Sequence, residues 1–199
     1  MGINMERKEA LSCLIPYHHH LGPLMLRNAL LSLIPEGTKR FVALCIGSNR
    51  ISGDSLGPFV GTLLDQVYPE HLTVMGSLCS PLDAQSIANI LPGTTFPKDA
   101  FVIAIDSVLG KRENLHSIVV RQGPLVLGRG LGNKLPSIGD CSVMGVVVEQ
   151  GKMAEYELVY ADLHLVYSMA VKVAWAIALT VRQYFHYPAD SALFPIRWG

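Results

Sequence analysis

Charge is what this sequence has least of. Only 16% of its 199 residues are charged, with 16 Lys+Arg against 16 Asp+Glu, where an average soluble protein carries roughly 25%. No basic block is long enough to track a phosphate backbone, which argues against direct binding of DNA or RNA. Cysteine is sparse and scattered: Cys13, Cys45, Cys79 and Cys141 form no CxxC pair, so free thiols are expected rather than a disulfide framework or a zinc site. The opening MGINMERKEALSCLIPY mixes charges of both signs and has no continuous apolar stretch before a small-residue cleavage site, so no signal peptide and a cytoplasmic location are expected. The nucleotide motifs are also missing. GSNRISGD lacks the lysine and hydroxyl residue of a P-loop, GRGLGN departs from GxGxxG, and GxSxG does not occur.

Apolar residues, by contrast, make up half of the chain, so a large buried core, or contacts between copies in a homo-oligomer, must hide them. FVALCIG, residues 41–47, is too short for a helix and ends at glycine, as expected of a strand buried on both faces. Helical spacing follows from Leu56 to Val67, with Ser55 as an N-cap. The pattern repeats through LTVMGS (72–77), a helix from Asp83 to Leu91, and FVIAIDS (101–107). Alternation of this kind predicts an α/β three-layer sandwich around a mostly parallel sheet. SIVVR (117–121) and SVMGVVV (142–148) add β-like runs on either side of the loop GPLVLGRGLGN. A helix over Pro23 to Leu33 makes residues 1–39 a helical N-terminal segment. A second long helix, Asp162 to Phe185, precedes an irregular tail at 186–199. Lys172, near the middle of the apolar run Leu163 to Val181, favours a core helix over a membrane span, because a lysine there would cost about 2.5–3.5 kcal/mol. No repeat or second domain interrupts this reading, so 1–199 is expected to be a single α/β domain.

Two carboxylates stand out by position. Asp54 lies in the glycine-flanked turn GSNRISGDSLGP between the first central strand and its helix, and Asp106 directly ends FVIAI. Open α/β sheets bind ligands outside the carboxyl ends of their strands, where strand order reverses. With a 2-1-3 order the strands carrying these residues are neighbours, and Asp54 and Asp106 face each other. Two such groups cannot both ionise cheaply, so one keeps its proton while the other accepts, the division of labour in aspartic proteases. Ser55 and Ser107 are placed to hydrogen-bond them. Taken singly, Asp54 could serve only the positive end of its helix and Asp106 only an Asx turn. His18, His19 and His20 are consecutive and do not converge like metal ligands, and His116 and His164 stand alone.

CIGSNRISGDSLGP, FVIAIDSVLG and LGRGLGNKLPSIGD together resemble the YyaC-type sporulation proteins over almost all of residues 40–185, and are similar at greater distance to bacterial germination protease. The resemblance implies a phosphorylase/hydrogenase-maturation-like fold. It places Asp54 and Asp106 at the positions of the two catalytic aspartates of an atypical aspartic endopeptidase that digests small acid-soluble spore proteins. Expression in the forespore cytoplasm is a further implication. This sequence is much shorter than germination protease, so the substrate-binding insertions and pro-segment of the longer enzyme are not carried over. The leading expectation is therefore a cofactor-free peptide hydrolase acting on a protein or peptide. Its rivals are a metal-dependent maturation protease, which needs a third ligand such as His116, and a non-catalytic sporulation protein that binds a peptide in the same crevice.

Overall fold

The computed structural model describes residues 12–90, 93–126 and 137–194. Among these residues, six strands and five α-helices occur in the order β1 (Ser12–Pro16), α1 (Gly22–Leu31), β2 (Arg40–Cys45), α2 (Leu56–Leu64), β3 (Leu72–Met75), α3 (Ala84–Ile90), β4 (Ala100–Gly110), β5 (Ser117–Gln122), β6 (Cys141–Glu149), α4 (Ala154–Val159) and α5 (Leu163–Tyr184). The strands form one sheet ordered β1-β5-β6-β4-β2-β3. β3, β2, β4 and β6 pair in parallel, while β5 runs antiparallel to β6 and β1 antiparallel to β5. The architecture is α/β with a mixed, mostly parallel sheet. β2 lies between β3 and β4, which is the 2-1-3 order expected from the sequence.

The unbroken apolar runs of β2 and β4 follow from burial on both faces. Phe41, Ala43, Cys45, Ile103 and Ile105 point into a core shared with α1, α2 and α5. Val42, Leu44, Val102 and Ala104 point the other way, toward Ile87 of α3, with Leu82 and Leu125 beside it. α2 can approach the sheet closely because a Cβ at Gly57 would lie 2.6 Å from the Ile46 nitrogen. That approach draws the preceding turn, which carries Asp54, over the strand ends.

The carboxylate of Asp162 caps α5 by accepting from the backbone N–H groups of His164 (2.8 Å) and Leu165 (3.3 Å). By length and composition this helix could cross a membrane, yet 67% of its most apolar window is buried within the fold. Lys172 reaches out of that stripe and donates to the His19 carbonyl at 3.3 Å, as a snorkelling lysine does.

Three sequence expectations need correction. The N-terminal segment is not helical alone: Ser12–Pro16 forms β1, pairing with β5 from Ser12↔Arg121 to Pro16↔Ser117. Ser55 flanks α2 but makes no side-chain cap, since its hydroxyl donates to Ser52 O at 2.7 Å instead. Asp106 does not end its strand: β4 runs on to Gly110, because β6 continues to pair with it after the pairing with β2 stops at Ile105. Between β6 and α5 lies α4, a helix outside those expectations. The motif residues 127–136, including GRGLGN, lie outside the described residues, as do 1–11 and 195–199.

Candidate functional site

Past β2 the chain is stitched in place bond by bond. Ile46 N–H donates to Ile105 O (2.8 Å), Gly47 N–H to Leu82 O (3.1 Å), and Ser48 N–H to Asp54 O (3.0 Å). Gly47 has φ 136°, a conformation open mainly to glycine, and a Cβ there would strike the Asp54 carbonyl. The Asn49 amide donates to Leu78 O at 2.8 Å, tying this loop to the one after β3. A 3-10 turn, Ser52–Asp54, then presents Asp54. Gly53 is wedged beneath the α4 region, where a Cβ would meet Leu158 O at 2.6 Å and the Ala161 Cβ at 3.1 Å. Asp54 is thus clamped between the strand ends and α4.

Asp106 follows Ile105 on β4, opposite Met144 of β6. Its Oδ1 accepts from the Ser107 backbone N–H at 2.7 Å. Both aspartates keep intermediate surface exposure, which puts them at the mouth of the sheet rather than inside its sealed core. Their surroundings are nonetheless poor in solvent. Burial pushes the Asp106 carboxyl well above the ordinary aspartate range, the negative charge of Asp54 adds to this, and the Ser107 N–H opposes it. Asp54 is raised to about 6, first by burial; a Ser48 N–H works against that rise, and the charge of Asp83 works with it. The repulsion between Asp54 and Asp106 is mutual, and the deeper group, Asp106, holds its proton more tightly.

Asp83 is the residue that sequence reasoning passed over. Its carboxylate accepts from Ser86 N–H and Ser86 Oγ, both at 2.8 Å. Those bonds and the nearby Arg50 keep its pKa low despite some desolvation. An Asp-x-x-Ser pattern at the start of a helix that follows a parallel strand was the available signal, because that helix must begin at the same end of the sheet as Asp54.

The remaining candidates are placed elsewhere or used otherwise. The Ser107 hydroxyl is buried without a hydrogen-bond partner among the described residues. His116, with φ 60°, donates its N–H to Val146 O at 2.8 Å, and its ring lies edge-on to Tyr17. His164 sits in the exposed first turn of α5, and His19 stacks on His20. Among the described residues no group of three His, Cys, Asp or Glu side chains is placed to hold a metal ion. Among the described residues, Asp54 and Asp106 thus have no third side chain placed with them as a nickel site would need. All four cysteines are free, and Cys45 and Cys141 are buried.

The fold resembles that of a [NiFe] hydrogenase maturation protease, HycI from Thermococcus kodakarensis KOD1, with a TM-score of 0.50 and 16% identity over 77% of this chain and 98% of that one. At that identity the likeness concerns fold alone. In sequence, the chain is 36% identical over 152 residues to YyaC of Bacillus subtilis (strain 168), itself described as uncharacterized, covering 76% of this chain and 74% of that protein. Residues 17–176 match the model of a family described as protein of unknown function (DUF1256), and the chain belongs to that family.

Proposed function

We propose that this protein is a peptide-bond hydrolase in which Asp54 and Asp106 activate water. The observation that supports the reading is that Asp106 lies on β4 just past its pairing with β2, and Asp54 on the turn that follows β2, near enough for its charge to add to burial in raising the Asp106 carboxyl well above the ordinary aspartate range. Division into one charged and one neutral carboxyl is what acid–base attack on an amide requires. The Asp54 carboxylate takes a proton from water as the water oxygen bonds to the scissile carbonyl carbon, while protonated Asp106 donates to the carbonyl oxygen. Breakdown reverses the roles. The C–N bond cleaves, Asp54 passes its proton to the leaving nitrogen, and Asp106 recovers a proton from the hydroxyl that becomes the new carboxyl group. The substrate class is an extended polypeptide, and the resemblance to germination protease suggests small acid-soluble spore proteins in the forespore cytoplasm.

The test is incubation of the purified protein with a spore-protein extract, with and without EDTA, followed by mass spectrometry of the fragments. Cleavage that survives EDTA and vanishes in both Asp54→Asn and Asp106→Asn is expected. Cleavage lost with EDTA and restored by nickel or zinc would overturn the reading. Folded protein that binds spore peptides without cutting them would replace it with a peptide-binding role.

A further inference from the structure

α4 is apolar on both of its faces, which is unusual for a helix at a surface. Ala154 and Leu158, with Ala161 just beyond the helix, form the inner side; Ala154 is buried and the other two pack against the core around Gly53. On the opposite side Met153, Tyr156 and Tyr160 follow the i, i+3, i+7 spacing of a second stripe. They are 58%, 59% and 69% exposed. The rings of Tyr156 and Tyr160 lie 4.7 Å apart, centroid to centroid, tilted at 46°. Val159 and Leu163 extend the patch. Exposed clusters of this sort mark interaction surfaces, whereas single exposed apolar residues do not.

Charge around the patch is one-sided. Between residues 149 and 162 four exposed carboxylates, Glu149, Glu155, Glu157 and Asp162, face one lysine, Lys152. No ion pair engages any of them among the described residues. Paired tyrosine faces bordered by carboxylates outside any ion pair, Asp162 among them although it also caps α5, suit a guanidinium or ammonium group with an apolar stem, through cation–π contact and charge attraction. The helix that carries the patch is anchored next to the proposed active site, because its inner side presses on Gly53, one residue before Asp54.

We infer that the outer face of α4 is a docking surface for an extended polypeptide segment in which arginine or lysine alternates with bulky apolar residues, held beside the Asp54 turn. This inference rests on the peptidase reading for its purpose but is tested apart from it. The probe is a fluorescein-labelled twelve-residue peptide of alternating arginine and leucine, compared with its glutamate–leucine counterpart, with binding followed by anisotropy on Asp54→Asn protein, which cannot cut. Basic peptide should bind and acidic peptide should not, with affinity falling as salt rises. In the same background, Tyr156→Ser with Tyr160→Ser should weaken binding about tenfold or more. Glu155→Gln with Glu157→Gln should weaken it less and flatten the salt dependence. These are surface positions, so unchanged melting temperatures will show that the fold is kept. Equal binding of both peptides, wild-type affinity in the tyrosine pair, or a dimer that dissociates when the tyrosines are replaced would each overturn the inference. Docking that persists while no substrate is ever cleaved would leave it standing and remove the peptidase reading alone.

Discussion

The two ends of the parallel sheet are built from opposite materials. At the carboxyl end lie glycines, loops, and two aspartates held where their charges are costly. At the amino end the strands start from aromatic rings. Phe41 of β2 meets Phe101 of β4 at 6.0 Å, Tyr184 at 5.4 Å and Phe185 at 5.1 Å. His71 stacks on Phe185 at 4.0 Å, and its Nδ1 lies 2.7 Å from the hydroxyl of Tyr187. The contrast teaches where each end spends its free energy: the amino end gains stability by closing, and the carboxyl end gives some up to keep polar groups half-buried and poised.

The largest effect should come from the carboxyl end. Asp54→Asn or Asp106→Asn is expected to cut hydrolysis of a spore-protein substrate by about 10²–10⁴-fold, measured as initial rates at saturating and subsaturating substrate. The rate should also fall on the acid side of about pH 6, where Asp54 becomes protonated, and again at higher pH, where Asp106 loses its proton. An acid limb that stays near pH 4 would place Asp54 in open solvent.

At the amino end, Phe41→Ala removes a fully buried ring with three aromatic neighbours. It should cost about 3–5 kcal/mol in urea denaturation and leave the pH limbs of the remaining activity where they were. A shift in those limbs would mean the two ends are coupled.

Stability should move the opposite way at the site. A carboxyl whose folded pKa is raised contributes stability at low pH that is lost as pH climbs from the unfolded value, about 3.8, through the folded one. Relieving Asp54 of its charge by Asp54→Asn is therefore expected to stabilise the protein at pH 7–8. The ceiling is about 3 kcal/mol from its shift, and about 1–2 kcal/mol is expected after partial exposure is allowed for. The gain should vanish near pH 4. Asp106→Asn should act in the same sense, and thermal melts at pH 4 and pH 8 decide both. The smallest change is Tyr187→Phe, which deletes one hydrogen bond to His71 and should cost about 1 kcal/mol.

Much of this was legible because burial on both faces writes a continuous apolar run. FVALC and FVIAI became adjacent strands, and the apolar run with Asp162 before it became α5 with its cap. β1 escaped because SCLIP is five residues ending in proline, and only Ile15 is fully buried; a partner a hundred residues away leaves no local mark. α4 escaped because AEYELV is apolar on both sides, which blurs the one-sided stripe that signals a surface helix. The sequence placed Asp54 in the turn before α2, where it lies, but ended β4 at Asp106, whereas the strand runs on to Gly110 because β6 pairs with it beyond the end of β2. Asp83 was marked only by its Asp-x-x-Ser start to a helix; that its charge reaches Asp54 depends on how the loops after β2 and β3 meet in space, as where Asn49 donates to Leu78 O.

β1 also carries a kinetic consequence. Its partner β5 begins at Ser117, and β5 itself is completed by β6 from Cys141 onward. A ribosome adding roughly 5–20 residues per second would make the first strand several seconds to tens of seconds before its docking edge exists. Closing so long a loop is entropically slow to nucleate but adds little to the equilibrium cost. The parallel core β3-β2-β4 is complete in sequence by Gly110, so collapse can begin there. Sealing of the sheet by its own beginning is then a late event, and until it happens the outer edge of β5 stays open to pairing with another chain.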